Sequence, residues 1–161
     1  MVAPPPRGPK NKGRLLSQIL RALRRYRGKR PPEVAVAMDM PQRSYEHFEA
    51  GKGRLNVDRI HQFAEVLEVD AYGILMAMDI GSASFAVRVA DSKLPTVLLL
   101  ALQAFDLKAQ NTIVHLPAYV LMDAFNEMFD KLAKTAAAHD AATKGLGRKK
   151  PEDDSEDEPD G

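Results

Sequence analysis

The sequence of 161 residues contains no cysteine and no tryptophan, and aromatic residues make up only 6% of it. The absence of cysteine excludes a disulfide framework, a thiol nucleophile and any cysteine-ligated zinc site. The longest apolar run, residues 96–102, is far shorter than the roughly 20 residues that a membrane span needs. The N-terminus lacks the apolar core of a signal peptide. These absences predict a soluble cytoplasmic protein without membrane contact.

Charge is almost balanced in total but uneven along the chain. The formal net charge is +1, yet residues 1–30 hold ten basic and no acidic side chains, and residues 151–161 hold seven acidic and no basic ones. Residues 31–80 have a net charge of −5 and residues 81–150 one of +3. This segregation predicts a basic segment that binds a polyanion, with strongly salt-dependent affinity. The acidic tail is either a solubilising extension or a competitor for the basic segment.

The spacing of apolar residues predicts an all-α protein. Leu16, Ile19, Leu20 and Leu23 recur at three- and four-residue intervals, which is typical of one face of a helix. Prolines, glycines and capping residues, among them Asn56 and Asp70, divide the following residues into short helices. Residues 85–89 alternate like a strand, but the helical neighbourhood favours a helix. Two longer stripes, over residues 94–105 and 121–132, predict longer helices, the second beginning at Pro117.

These patterns divide the chain into four segments. Residues 1–13 are predicted to be a disordered basic arm, residues 14–81 a five-helix domain, residues 82–144 a small helical region, and residues 145–161 a hinge and a disordered acidic tail. Residues 82–144 are too few for a comfortable core of their own. We therefore expect them to form a homodimer by packing on a second copy. The alternative is that they dock on the five-helix domain.

The most informative stretch is residues 30–51. Ala35 is a small residue where two helices can cross closely, and apolar residues stand at offsets of −1, +3, +5, +10 and +13 from it. These residues are Val34, Met38, Met40, Tyr45 and Phe48. Pro41 separates a helix over residues 32–38 from one over residues 42–50, and Gly51 ends the latter. An apolar register around one small residue indicates a helix-turn-helix.

Residues 14–78 resemble the lambda-repressor-like, or XRE-type, helix-turn-helix family. The second motif helix ends with Glu49-Ala50-Gly51, as is typical there, and residues 57–69 are similar to the family's next helix. Asp39 stands where the family usually has a glycine in the turn, so we expect left-handed geometry at Asp39. The resemblance implies a five-helix lambda-repressor-like DNA-binding domain, commonly dimeric, that regulates transcription.

In such a domain the exposed residues near the start of the second motif helix face base edges in the major groove of double-stranded DNA. The residues with this expected role are Gln42, Arg43, Ser44, Glu46 and His47. Arg43 is expected to contact guanine and Gln42 adenine. Glu46 is expected to accept from a cytosine amine or to orient Arg43. Tyr45 belongs to the core.

A second set of residues is expected to bind DNA phosphates and thereby to position the domain. These residues are Lys29, Arg30, Lys52, Arg54 and Asn56. The first two stand next to Pro31 and Pro32, which occupy a region where the family often has a phosphate-binding glutamine. We expect the two basic side chains to replace that contact.

The sequence leaves two other functions open. One is a protein-interaction module that uses the helix-turn-helix scaffold without base readout, with RNA polymerase or an antirepressor as its partner. The other is an enzyme with an appended binding domain, which is disfavoured because no HExxH motif, phosphate-binding loop or nucleophile elbow is present. Asp123, Glu127 and Asp130 lie on the polar side of an amphipathic helix, where a solvated face is favoured over a metal site. We expect no enzymatic activity, cofactor or metal.

Overall fold

The computed structural model describes residues 9–146, with side chains over residues 12–145, and this part of the chain contains helices and no β-strand. An all-α protein is therefore confirmed. The helices are α1 (Pro9–Tyr26), α2 (Pro31–Ala37), α3 (Gln42–Glu49), α4 (Val57–Leu67), α5 (Ala71–Ile80), α6 (Ala83–Arg88), α7 (Leu94–Ala109) and α8 (Ala118–Leu146), with a 3-10 helix (Gln110–His115) before α8.

Helices α1 to α5 share one hydrophobic core. Each contributes side chains that are almost completely buried, such as Ile19 from α1, Tyr45 from α3, Phe63 from α4 and Ile74 from α5. Local signals set the boundaries as the sequence predicts. The Asn56 side chain accepts a 3.0 Å hydrogen bond from the backbone N–H of Arg59 and caps α4. Such caps satisfy amide groups that a helix start otherwise leaves without partners.

Helix α6, which follows the boundary predicted at residue 82, also belongs to this core. Ala86 is 2% exposed and Ala90 is 1% exposed, and both lie in the same buried cluster as the residues of α1 and α5. The first compact unit of the chain extends to Lys108. The physical reason is that six residues cannot bury an apolar face unaided, so α6 completes the core of the helices before it.

Two polar side chains, Asp70 and Arg27, tie the start of α7 and the segment before it to the five-helix core. The Asp70 carboxylate, 3% exposed, caps α5 and also accepts hydrogen bonds from the backbone N–H of Thr96 at 3.1 Å and its hydroxyl at 3.0 Å. Arg27 donates to the carbonyl oxygens of Leu67 and Glu68 at 2.9 Å and forms a 2.5 Å ion pair with Asp91. The start of α7 is therefore held against the core of the first unit.

The last helix, α8, has no buried side chain among its described residues. Of the described residues, those from 109 to 146 belong to a second unit of the chain, and the described side chains of α8 are exposed except that of Leu121, which is half-buried. Helix α8 continues to Leu146, past the hinge predicted at residue 145. At the other end, α1 begins at Pro9, so residues 9–13 of the predicted arm are helical. The rest of the arm and the acidic tail lie outside the described residues.

None of the helices in the described residues combines the length and apolarity that a membrane crossing requires.

The Asp70 junction generates a test of stability. Thr96→Val removes the hydroxyl that donates to Asp70 while it keeps the branched shape of the side chain. Because the lost bond is made to a buried carboxylate, we expect urea unfolding to show a loss of about 1.5 kcal/mol. The matched control is Thr143→Val, which removes an exposed hydroxyl that donates to the His139 carbonyl oxygen. Equal, small effects of both substitutions would contradict a supporting role for Thr96.

Candidate nucleic-acid interface

Helices α2 and α3 pack together through a short turn, and a small residue of α2 is buried next to that turn. Ala35, 1% exposed, lies between the equally buried Val34 and Met38, as the apolar register predicts. The turn between the helices adopts left-handed geometry at Asp39, with φ 49°. The backbone N–H of Met40 donates to the carbonyl oxygen of Ala35 at 3.1 Å. The amide of Gln62, on α4, closes the turn by donating to the Met38 carbonyl oxygen at 2.7 Å.

A buried carboxylate fixes α3 on α1. Glu49 is 6% exposed, and its carboxylate forms an ion pair with the guanidinium of Arg24. The Tyr45 hydroxyl donates to Glu49 Oε1 at 2.9 Å, and Arg21 Nε lies 3.9 Å from Glu49 Oε2. Because Tyr45 and Glu49 are one turn apart, both point inward and the opposite face of α3 points outward.

The acid–base properties of this cluster follow from its burial. Burial and the negative charge of Glu49 raise the pKa of Tyr45 above its ordinary value of 10.0. The hydrogen bond to Glu49 raises the pKa of Arg24 in turn. Both shifts favour a protonated Tyr45 and a charged Arg24 across the physiological range. Local spacing in the sequence does not indicate the pairing of Arg24 with Glu49, because the two residues are 25 positions apart.

The outer face of α3 carries the residues that the sequence predicts for base contacts. Gln42, Arg43, Glu46 and His47 are exposed and Ser44 is half-buried, so all five lie together on one helix. Gln42 Nε2 donates to Glu46 Oε1 at 2.9 Å. Glu46 therefore orients Gln42, whereas the sequence analysis paired Glu46 with Arg43 or with a cytosine.

A concave site lies beside this face. A cavity of about 300 Å³ is lined by Arg43, Ser44 and His47 from α3 and by Arg59 from α4. Arg59, in the first turn of α4, was missed by the sequence analysis as a site residue. Its position three residues after the capping Asn56 is the signal that places it near the turn between α3 and α4. Two guanidinium groups around one concavity attract an anion.

The residues predicted to bind phosphates occupy two places. Lys52, Arg54 and Asn56 lie in the exposed connection between α3 and α4. The oxygen of Asn56 is used as the cap of α4, so its amide N–H groups are the part that can bind an anion. Lys29 and Arg30 are exposed before α2. Arg30 forms a 3.4 Å ion pair with Glu33. The pKa of Glu33 is lowered mainly by a 2.7 Å hydrogen bond from the backbone N–H of Arg30, and further by the Arg30 side chain.

The start of α1 lies against the same connection. Gly13 and Gly51 approach so closely that a Cβ atom added to Gly13 would lie 2.5 Å from the Gly51 carbonyl oxygen. A shallow depression forms around this contact, and its lining residues include Arg14, Gln18 and Arg21 from α1. Glycine at both positions therefore brings basic side chains of α1 beside the connection that carries Lys52 and Arg54.

Several acidic residues of this domain add little negative charge to its surface. Glu49 and Asp70 are buried, and Glu33 is paired with Arg30. Within the described residues, neither Arg43 nor Arg59 forms an ion pair. The net charge of −5 over residues 31–80 therefore understates the positive potential next to α3. No cluster of three metal-ligating side chains occurs in the described part of the chain.

The cluster at Glu49 generates a test that combines stability with pH. Tyr45→Phe removes a hydroxyl that bonds a buried carboxylate, so we expect it to lower the free energy of unfolding by about 1.5–3 kcal/mol near neutral pH. Because the folded-state pKa of Tyr45 is raised, this contribution is complete below about pH 10 and is lost as the pH rises through the raised pKa.

The measurement is urea unfolding of the unmodified chain and the variant from about pH 7 to 11, with the exposed Tyr119→Phe as control. The difference between the unmodified chain and Tyr45→Phe should shrink above about pH 10, while Tyr119→Phe changes little throughout. A difference that stays constant to pH 11 would contradict the burial effect on Tyr45.

Comparison with known proteins agrees with this geometry. Residues 15–72 match a family model described as a helix-turn-helix domain. No curated protein and no solved structure matches the chain. The matched residues include the crossing of α2 and α3, the turn at Asp39 and the Glu49 cluster. Residues 15–72 thus form a helix-turn-helix domain.

Proposed function

We propose that the protein is a sequence-specific DNA-binding transcriptional regulator of the lambda-repressor-like, or XRE, type. The observation that carries the proposal is the orientation of α3, whose inner face is locked by Tyr45 and Glu49 while its outer face presents polar side chains. A helix held in this way can enter the major groove as a rigid unit. Such a regulator acts on the nucleoid in the cytoplasm.

Base readout is assigned to the outer face of α3. Arg43 presents the planar donor pair that matches the O6 and N7 acceptors of guanine. Gln42 donates one amide N–H to Glu46. Its second N–H can donate to N7 of adenine, and its amide oxygen can accept from the N6 amino group. His47 and Ser44 flank these two residues and are assigned to the neighbouring base edges or sugar.

Phosphate binding is assigned to the basic residues on both sides of α3. Lys52, Arg54 and the amide of Asn56 lie in the connection after α3, and Lys29 and Arg30 lie before α2. Arg59 and Arg14 join this set because they line the concavities next to α3 and its following connection. Phosphate contacts of this kind supply affinity that falls steeply with salt and carries no sequence preference.

The first test separates base readout from a scaffold that only binds other proteins. The operator is selected from random duplex DNA with the full chain, and Arg43→Ala is then compared with the unmodified chain on that operator and on unrelated DNA. We expect a loss of about 1–3 kcal/mol on the operator and almost none on unrelated DNA. The matched control is Arg88→Ala, because Arg88 lies on α6 and bonds Ser84.

If selection yields no enriched sequence, or if Arg43→Ala binds the operator as tightly as the unmodified chain, base readout by α3 is refuted. Retained effects on transcription would then favour the protein-interaction module, with RNA polymerase as the first partner to assay.

The second test concerns the phosphate contacts. Arg54→Ala should weaken binding to operator and unrelated DNA by the same factor, and it should reduce the slope of log affinity against log salt by about 1. The measurement is a fluorescence-anisotropy titration at several salt concentrations, with Arg88→Ala again as control. If Arg54→Ala weakens binding to the operator alone, Arg54 contacts bases and not phosphates.

A further inference from the structure

A further cavity lies in the first unit of the chain, between the start of α1, the connection from α3 to α4, and α5. This α1–α5 cavity has a volume of about 330 Å³, and its apolar wall consists of Leu16, Phe48, Leu75 and Met78. Small-molecule sites are typically apolar concavities of about 300–1,000 Å³ with a few polar groups. The cavity therefore has the size and the wall of a site for a small ligand.

The apolar wall is fixed by contacts within the hydrophobic core. Leu16, Phe48 and Met78 are buried. The ring of Phe48 packs edge-on against the ring of Phe63, with 6.0 Å between the centroids. A ligand would consequently meet an apolar surface that already exists, which keeps the entropic cost of binding low.

Leu55 adds an exposed apolar side chain to the same cavity. It lies in the connection between α3 and α4, next to the polar Arg54 and Asn56, and it lines the cavity. Its side chain is 50% exposed. The packing of the helices gives no reason for a leucine at this exposed position, whereas a ligand with an apolar body would cover it.

Three basic residues line the cavity together with this apolar surface. They are Lys12 from α1 and Lys52 and Arg54 from the connection. All three are exposed, and none of them forms an ion pair with another residue that the structure describes. The close contact between Gly13 and Gly51 brings their neighbours Lys12 and Lys52 to one cavity. A negatively charged head group can therefore bind here without displacing an existing partner.

The charge of the lining favours an anion over a cation. Asp79 is the acidic residue among the lining side chains, against three basic ones, so the lining has a net charge of +2. Positive side chains around a concavity with a low-dielectric wall concentrate the field there. The cavity thus combines an apolar wall with a positive border.

Neither end of the chain has the composition that matches this combination. Residues 151–161 carry seven acidic side chains but no large apolar one, and residues 1–8 carry a basic side chain and no acidic one. The acidic end can neutralise the border but cannot cover the wall, and the basic start has the wrong charge. A DNA phosphate also lacks an apolar body. The matching occupant is a molecule that joins an apolar body to a negative head group.

We propose that the α1–α5 cavity binds an amphipathic organic anion, with its apolar body against Phe48, Leu55 and Met78 and its head group beside Lys52 and Arg54. These two basic residues are also assigned to DNA phosphates, so an occupied cavity withdraws them from DNA. The anion is then an effector that weakens DNA binding. This regulatory consequence rests on the proposed function, whereas the binding of the anion does not.

The first experiment measures ligand binding to the full chain without DNA. Octanoate is titrated while the backbone amide signals of Gly13, Gly51 and Gly53, which all line the cavity, are followed by NMR. We expect saturable shifts with octanoate. 1-Octanol has the same apolar body without the charge and should bind about tenfold more weakly. Acetate has the charge without the body and should not saturate the site.

Two variants test the two parts of the site. Leu55→Ser removes a half-exposed apolar contact and should weaken octanoate binding about fivefold. Arg54→Gln should weaken octanoate binding by a similar factor and leave 1-octanol binding unchanged. The matched control is Arg88→Gln, because Arg88 is an exposed arginine on α6 that does not line the cavity; it should change neither. Circular dichroism establishes that each variant is as helical as the unmodified chain.

Absence of saturable octanoate binding would overturn the site, and so would binding that neither Leu55→Ser nor Arg54→Gln weakens. Binding of 1-octanol as tight as that of octanoate would overturn the role of the basic residues.

The second experiment measures competition with unrelated duplex DNA by fluorescence anisotropy at several salt concentrations. Saturating octanoate should weaken DNA binding and reduce the slope of log affinity against log salt by about 2, because two phosphate contacts are lost. Acetate at the same concentration controls for ionic strength. The Leu55→Ser variant should need about fivefold more octanoate for the same effect.

An unchanged DNA affinity with a filled cavity would overturn the competition. The two proposals fail in different ways. Octanoate binding that responds to both variants, in a chain that binds no DNA, would refute the proposed function alone. DNA binding with an operator preference, in a chain that binds no octanoate, would refute the ligand site alone.

Discussion

The burial of the Glu49 carboxylate is the constraint on which the helix-turn-helix depends. A carboxylate removed from water is strongly unfavourable unless charged and hydrogen-bonding partners surround it. Arg24 and Tyr45 provide these partners from α1 and from the preceding turn of α3. The rotation of α3 about its axis is therefore fixed, because any other rotation would separate the carboxylate from Arg24. The outward direction of Gln42, Arg43 and His47 follows from an interaction on the opposite side of the same helix.

The arginines within α1 and directly after it serve two purposes. Arg24 and Arg27 are bound within the protein, the first to Glu49 and the second to Asp91 and to the last carbonyl groups of α4. Arg14 and Arg25 are exposed. The ten basic side chains of residues 1–30 are therefore not all available to bind a polyanion. Part of this charge neutralises buried or neighbouring acids, and only the remainder faces outward.

What the sequence predicts well is local. The cap at Asn56, the left-handed turn at Asp39 and the helix end at Gly51 depend on a few neighbouring residues, whose chemistry is visible in the order of the chain. The bonds from Thr96 to Asp70 and from Arg24 to Glu49 join residues 26 and 25 positions apart. Nothing in local spacing distinguishes these partners from the other threonines and arginines. Local spacing likewise cannot show that α6 is buried, because its burial depends on α1 and α5.

The sequence predicts which residues of the candidate site lie on the outer face of α3, but not which of them contact one another. Apolar periodicity identifies which side of α3 is buried, and so which residues lie outside. It does not show that Gln42 bonds Glu46 or that Arg59 lies beside Arg43, since both depend on side-chain conformation and on the crossing of α3 and α4.

The number of residues on α3 also bears on the need for a second copy. Helix α3 has 8 residues, and only a few of its side chains face outward. Each good base contact discriminates by about 1–3 kcal/mol, whereas a regulator must exceed the binding of a very large number of competing sites in a genome. One α3 offers few contacts for that task, and on the proposed function a second copy of the domain on the same DNA would double the discriminating free energy without any change in α3.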